Sequence, residues 1–333
     1  RSTIFPYTTL FRSMKKNNIG KTELKITELS FGATSLANMP ETYGYEVTED
    51  RAQKTLKRFF QGPVNMLDTS RNYGLGRSEE LIGQAIDNNG GWPKDFILST
   101  KLDRNMQTGH FDATQARKSF EEILATLRLD SIDILNLHDP EYVTDISEIT
   151  KKGGALDELF KIKEEGLVKA VGLAMGRIDI MLPILKDWDF DILINHNRYT
   201  LLNRQANEMY DYAHKKGIAI INAAPFASGI LAKGSKKGKI ITYQDLTKET
   251  LAPVIKIEKI CEKFGIEMGA AALQFSLRDS RISTTLCGVS SPENIQKNLV
   301  WAQTQIPSEF WDEVLALPFS TDDPEANRVY TPG

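Results

Sequence analysis

The chain has 333 residues, 41% of them apolar and 26% charged, with 41 Lys and Arg against 44 Asp and Glu for a formal net charge of −3. That composition excludes a disordered or collagen-like chain and offers no basic surplus for nucleic acid, and no stretch approaches the roughly 18 uninterrupted apolar residues of a membrane helix. Two cysteines, Cys261 and Cys287, are too few for a disulfide framework and stand in no zinc-ligand spacing, so a reduced, cytoplasmic setting is expected.

The first thirteen residues, RSTIFPYTTLFRS, precede Met14. They show no charged n-region followed by an apolar run, and FPYTTLFRS resembles a translated sequencing adapter. Residues 1–13 are therefore expected to be a non-native extension and 14–333 one domain. A β-prone stretch at 22–27 suggests a short N-terminal hairpin. One unit then repeats, a short apolar run followed by a helical pattern. The predicted strands are 29–33, 64–68, 96–100, 132–137, 168–173, 192–195, 218–222 and 282–289. Runs such as IDILNL and GIAIIN are apolar almost throughout, as parallel strands covered on both faces must be. The predicted helices are 51–60, 78–88, 112–128, 156–165, 178–186, 204–216, 250–264 and 292–302, several closed by a glycine suited to the left-handed C′ position. The longest loop covers 231–245, and a further helix at 308–316 precedes a polar tail.

Eight strands alternating with helices, and no linker between them, predict a single-domain α/β fold, a (β/α)8 TIM barrel with an N-terminal hairpin and a C-terminal helix and tail. An open doubly wound sheet is the rival, and the count of eight favours the barrel. Active sites of such barrels lie at the C-terminal ends of the strands. Asp68 ends the second strand, with Tyr73 just beyond it; Lys101 follows the third, and His138 the fourth. Any one of these is more often a structural polar residue, but four from three consecutive strands mark one rim. The four histidines, His110, His138, His196 and His214, show no metal-ligand spacing, so no metal is expected.

The segment LDTSRNYGLGRSEELIG, then LSTK, then LHDP, resembles the aldo-keto reductase signature in order and spacing. The stretches NHNRYTLL and NAAPFASGILAKG are similar to the branch of aldose 1-dehydrogenases that act on L-fucose, L-galactose and D-threo-aldoses. That resemblance implies an NAD(P)-dependent enzyme moving a hydride between nicotinamide C4 and C1 of an aldose. In it, Tyr73 exchanges the proton, Lys101 lowers the phenol pKa, Asp68 pairs with Lys101, and His138 orients the reacting oxygen. The expected partner is a small sugar or carbonyl compound, with monomer or homo-oligomer left open.

No GxGxxG occurs, since the GxG at Gly74 and Gly76 is not completed at the right spacing. Barrels instead cradle phosphates with the loops after strands seven and eight. After strand seven, Pro225, Phe226, Ala227, Ser228, Gly229 and Leu231 lie in a small-residue loop. After strand eight, Gly288 and Ser290 lead into a helix, Ser290 and Glu293 being spaced as a capping box. The resemblance further implies adenine contacts from Asn294 and Asn298. It also exposes departures, because Ala174 and Met175 replace the usual amide-holding pair, leaving Asn195 or His196 to hold nicotinamide. With Ser290 and Ser291 where many NADP-using relatives carry a cation, a 2′-phosphate loses about 1.5–3 kcal/mol, so NAD is favoured. Alternatives are an NADPH-dependent aldehyde or ketone reductase and a non-enzymatic, cofactor-sensing regulatory subunit. Tyr43, Tyr45, Asp139, Glu141 and Tyr199 are candidates for the pocket mouth.

Overall fold

The computed structural model describes residues 14–328; the 1–13 segment expected to be non-native lies outside them, as does the end of the tail. Strands β1 (Lys16–Asn18) and β2 (Lys25–Thr27) form the antiparallel hairpin. The barrel strands are β3 (Leu29–Gly32), β4 (Met66–Asp68), β5 (Ile97–Leu102), β6 (Ile132–His138), β7 (Val168–Met175), β8 (Ile192–His196) and β9 (Ala219–Ala223). A two-residue hairpin, β10 (Ile240–Ile241) with β11 (Gln244–Asp245), precedes the last barrel strand, β12 (Ile282–Gly288). All eight barrel strands pair in parallel, and β12 closes the ring between β9 and β3.

The helices are α1 (Pro40–Tyr43), α2 (Glu49–Phe60), α3 (Arg77–Asn89), α4 (Ala113–Leu127), α5 (Ser147–Thr150), α6 (Ala155–Glu164) and α7 (Ile178–Asp187), then α8 (Asn207–Lys216), α9 (Ile230–Lys233), α10 (Lys248–Phe264), α11 (Met268–Leu277), α12 (Pro292–Gln303) and α13 (Ser308–Leu315). Side chains of Thr48, Asp112 and Thr247 accept from the first-turn amides of α2, α4 and α10, which sets where these helices start. The sequence pattern misses α11. Eight of its ten residues are buried, Met268, Gly269, Ala270, Ala271, Ala272, Leu273, Phe275 and Ser276, so no polar face marks a helical period. The 231–245 loop is also more ordered than expected, since it holds most of α9 and the β10–β11 hairpin.

Two apolar clusters divide the work. One lies between strands and helices; the other fills the barrel, with Met66, Ile97, Ile134, Ala170, Ile192, Ile194, Ile221 and Leu286. Ile19 and Ile26 from the N-terminal hairpin join the inner cluster and close the bottom of the barrel. Since side chains alternate along a strand, the inner face is fixed for every strand. It carries Asp68 above Met66, Lys101 above Ile97 and Ser99, His138 above Ile134 and Asn136, and His196 above Ile192 and Ile194. The strands also run further than predicted: Lys101 lies inside β5 and His138 ends β6. No described helix is long and apolar enough to cross a membrane.

Helices α3 and α4 meet where Gly83 faces the backbone of Thr126, and a Cβ there would overlap the Thr126 carbonyl oxygen. Alanine gains about 1 kcal/mol of helix propensity over glycine, whereas overpacking costs roughly 1–3 kcal/mol. Gly83→Ala is expected to lower stability by up to about 2 kcal/mol net, read as a reduced denaturant midpoint at unchanged slope. A midpoint that rises would show that the two helices do not meet as described.

Candidate active site

Asp68, Lys101 and His138 reach the C-terminal rim on neighbouring strands, and Tyr73 comes from the loop after β4. Lys101 is 2% exposed, so its charge must be answered within the protein. All three ammonium protons are: Nζ donates to Asp68 Oδ2 at 2.6 Å, to the Thr69 carbonyl at 2.6 Å and to Tyr73 Oη at 3.1 Å. Beneath this pair Ser99 Oγ donates to Asp68 Oδ1 at 2.8 Å, and Asn136 Nδ2 donates to Ser99 Oγ at 3.1 Å. These two residues, Ser99 and Asn136, escaped the sequence reading. Their signal was a polar residue at an inward position of an otherwise apolar strand.

A second buried cluster orients His138. Its Nδ1 lies 2.6 Å from Asp103 Oδ1 and 3.0 Å from Ser70 Oγ, while Ser70 Oγ and the Asn72 amide donate to Asp103 Oδ2. With Nδ1 so engaged, Nε2 faces the pocket, and the ring stands edge-on to Tyr73 at 5.8 Å. Burial opposes charge on the imidazole, but Asp139 and Asp103 outweigh it and raise its pKa above the ordinary value. Asp103, also buried, is held below the usual carboxylate range by His138 and its hydrogen bonds.

Tyr73 departs from expectation. Burial pushes its phenol well above the ordinary value, the Asp68 and Asp139 carboxylates push the same way, and a Thr34 hydrogen bond opposes them. The net direction is therefore upward, although the Lys101 ammonium lies 3.1 Å from the phenol oxygen.

A pocket of about 800 Å³ opens over these residues, bounded by Asp68, Tyr73, Lys101 and His138 at one end and by Asn294 and Asn298 at the other. Of the residues expected to bind cofactor, His196, Pro225, Phe226, Ser228, Gly229, Gly288, Ser290, Asn294 and Asn298 line it. Asn195 does not. It alternates to the outer face of β8, where Nδ2 donates to the carbonyls of Met175 and Gly176. Ala227 and Leu231 are likewise packed into the outer core. The cap of α12 is Ser291, accepting from the Asn294 amide, and Ser290 Oγ instead donates to Asn294 Oδ1. Tyr43, Tyr45 and Asp139 face the pocket. Tyr199 is turned away and donates to Asp279. Glu141 accepts from the Gly176 amide, and burial together with Asp139 pushes its carboxyl up to about 7.

The pocket's far end suits a dinucleotide. Asn298 Oδ1 is buried without a hydrogen-bond partner among the described residues. In the loop after β9, Ala224, Ala227, Ser228 and Gly229 take left-handed φ values of 54°, 46°, 59° and 91°. Such reversals gather amides into an anion-binding concavity, and the loop's own backbone bonds leave the Phe226 and Ser228 amides unused among the described residues.

Residues 28–317 match the aldo/keto reductase family, so the chain belongs to it. It is 28% identical to a pyridoxal 4-dehydrogenase of Microbacterium luteolum, over 90% of this chain and 96% of that one. It is 29% identical to an L-galactose dehydrogenase of Arabidopsis thaliana, over 95% and 96%. An aldo-keto reductase of Bacillus halodurans, solved in its holo form, superposes with a TM-score of 0.74 at 20% identity, covering 95% of this chain and all of that one. The family comprises oxidoreductases that use nicotinamide cofactors.

Asp103→Asn keeps the shape of the His138 contact but removes its charge. The imidazole is expected to titrate at lower pH in this variant, followed by NMR of the His138 ring, because a neutral partner no longer favours the imidazolium. An unchanged titration would mean that Asp139 alone sets it.

Proposed function

We propose that the chain is an aldose 1-dehydrogenase that oxidises C1 of an aldose to the lactone with oxidised nicotinamide and, with reduced nicotinamide, reduces small polar aldehydes to alcohols. The Lys101 ammonium, bridging Asp68 and Tyr73 Oη at the floor of the pocket, is the observation that carries this reading.

Each residue then has a physical task. His138, held through Nδ1, presents Nε2 to the reacting oxygen and fixes where that oxygen sits. Tyr73 Oη completes the site for that oxygen and gives it a proton during reduction or takes one during oxidation. Lys101 supplies positive charge beside the phenol oxygen when it ionises, and Asp68 keeps the ammonium aimed there. Bound nicotinamide supplies the hydride chemistry. The loop at 225–229 would hold its pyrophosphate, Asn294 and Asn298 its adenine, and Ala174, Ala223 and His196 the nicotinamide end.

NAD is the favoured cofactor, because Ser290 leaves no cation next to the ribose. Arg51 and Lys297 also line the pocket, which supports some use of NADP. A flat aromatic aldehyde is the second reading for the substrate, supported by the Tyr43, Tyr45 and Tyr243 rings around the mouth and by the pyridoxal-oxidising relative.

A panel of L-galactose, L-fucose, D-arabinose and pyridoxal, each with NAD and NADP, tests the assignment. Sugar-dependent NADH production that vanishes in Tyr73→Phe is the expected result; turnover of pyridoxal alone would favour the second reading, and none at all a regulatory role. A kcat/KM more than about tenfold in favour of NADP would overturn the cofactor preference, since that ratio, roughly 1.4 kcal/mol, approaches the about 1.5–3 kcal/mol of a charge-assisted contact.

The raised Tyr73 pKa adds a pH signature. Oxidation needs the phenolate, which is scarce below that pKa, so log kcat/KM for oxidation should climb through the alkaline range by about one per pH unit. Reduction, which uses the protonated phenol, should not climb. A flat oxidation profile would remove Tyr73 as the base.

A further inference from the structure

We propose that Asp139 sets substrate choice: its carboxylate selects compounds carrying a hydroxyl on the carbon next to the reacting centre and disfavours those carrying an anion there. This rests on the oxidoreductase reading of the Tyr73 and His138 pair.

The position of Asp139 is built by the backbone. Strand β6 ends at His138, and the next residue turns left-handed, with φ 45° and ψ 51°. Aspartate tolerates that region better than most side chains. The Asp139 amide is tied to the Ala174 carbonyl at 2.9 Å, and Pro140 follows directly. The turn leaves Asp139 on the pocket wall, 9% exposed, with Oδ1 3.6 Å from His138 Nε2.

That distance is too long for a hydrogen bond, and the carboxylate accepts none from any described residue. Its neighbours differ in this respect. Asp68 is satisfied by Lys101 and Ser99, and Asp103 by His138, Ser70 and the Asn72 amide. Orienting His138 is already done by Asp103 through Nδ1, so Asp139 is not needed for it. The Asp139 side chain keeps 12% of its surface exposed and lines the pocket, so it is not sealed within the protein. A nearly buried acceptor therefore opens onto the reacting end of the pocket and lacks a donor among the described residues. Its field reaches Tyr73, His138, Glu141, Tyr142 and Tyr243 around that end.

The missing donor has a defined place. A carbonyl oxygen held by Tyr73 Oη and His138 Nε2 lies one hydrogen-bond length from Nε2. A hydroxyl on the adjacent carbon lies one carbon–carbon bond further along, within reach of an oxygen 3.6 Å from Nε2. Such an O–H to carboxylate bond is charge-assisted. A substrate without it leaves the carboxylate desolvated and unpaired, the arrangement that lets an enzyme reject an analogue lacking one hydroxyl. A carboxylate or phosphate at the same carbon meets like charge in a site of low dielectric. The class selected is that of α-hydroxy aldehydes, which includes the open form of aldoses, and of sugars with a free hydroxyl at C2.

Glycolaldehyde and acetaldehyde differ only in that hydroxyl, and glyoxylate carries a carboxylate in its place. The intact chain should reduce glycolaldehyde over acetaldehyde by at least about tenfold in kcat/KM, the factor a charge-assisted hydrogen bond provides. In Asp139→Ala that ratio should fall to within about threefold of unity, while glyoxylate improves relative to acetaldehyde. Asp139→Asn, which keeps an acceptor without charge, should retain part of the hydroxyl preference and gain glyoxylate. Because each comparison is a ratio within one protein, reduced folding of a variant does not mimic it. The ratio of L-galactose to its 2-deoxy analogue should follow the same order in oxidation. A wild-type ratio near one, or a ratio unchanged in Asp139→Ala, overturns the role of Asp139 and leaves the assigned reaction standing. No turnover of any of these compounds by the intact chain overturns the assigned reaction, and this role with it.

Discussion

The site depends on a charge buried where water cannot reach it. Lys101 stands on the inner face of the barrel, and an ammonium left unpaired there would cost several kcal/mol or give up its proton. Its three donor bonds are distributed over β4 and the loop that follows, so the requirement to satisfy one charge fixes the relative height of two strands and the entry of the Tyr73 loop. Asp68 transmits the same constraint through Ser99 to Asn136, and thereby to β5 and β6. A buried pair of this kind is weak evidence of added stability. Its value lies in permitting one geometry only, which the proton-exchanging phenol requires.

A second ionic knot closes the other flank. Arg198 is 2% exposed, and its guanidinium meets Glu325 at 2.9 Å and Asp323 at 2.6 Å. Asn197 and Arg328 also donate to Glu325, and His196 lies 3.2 Å from it. With this many cationic and donor groups converging, the Glu325 carboxyl is held well below the usual carboxylate range. Residues following α13 are thereby tied across the end of β8, and Arg328 is delivered to the pocket wall. Gly176 makes room for this, since a Cβ there would press on the Arg198 guanidinium. The glycine that follows the family's missing amide-holding pair is thus explained by the clasp.

Much of this was legible in the sequence. Continuous apolar runs and their number specified a closed parallel barrel, and polar residues at the ends of strands picked out Asp68, Lys101 and His138. The failures are physical in kind. Helix α11 lacks a polar face and so lacks a period. Asn195 was misjudged because polarity at a strand end was read without parity; Ile192 and Ile194 assign the inner face to His196, and Asn195 follows onto the outer one. Asp103 and Ser70 were passed over since loop aspartates and serines are common and only folding brings them onto one imidazole. The net rise of the Tyr73 pKa was not legible, because burial and the carboxylates of Asp68 and Asp139 act on the phenol only once the chain is folded.

These features give the pocket a polarity along its length. Carboxylates gather at the reacting end: Asp68 is paired with Lys101 and Asp103 with His138, but among the described residues Asp139 has a distant imidazole alone. Lys101 apart, cations line the rest of the wall, Arg51, Lys233, Lys297 and Arg328 among them. A carboxylate without a close cation beside the reacting end would favour a cofactor ring that becomes cationic on losing its hydride. Burial, with Asp68 and Asp139, pushes the Tyr73 phenol toward its protonated form. Under the proposed sugar-oxidising reading both effects would oppose oxidation, so that direction would draw on a high concentration of sugar or on alkaline pH, a tension that one charge pattern creates in two groups at once.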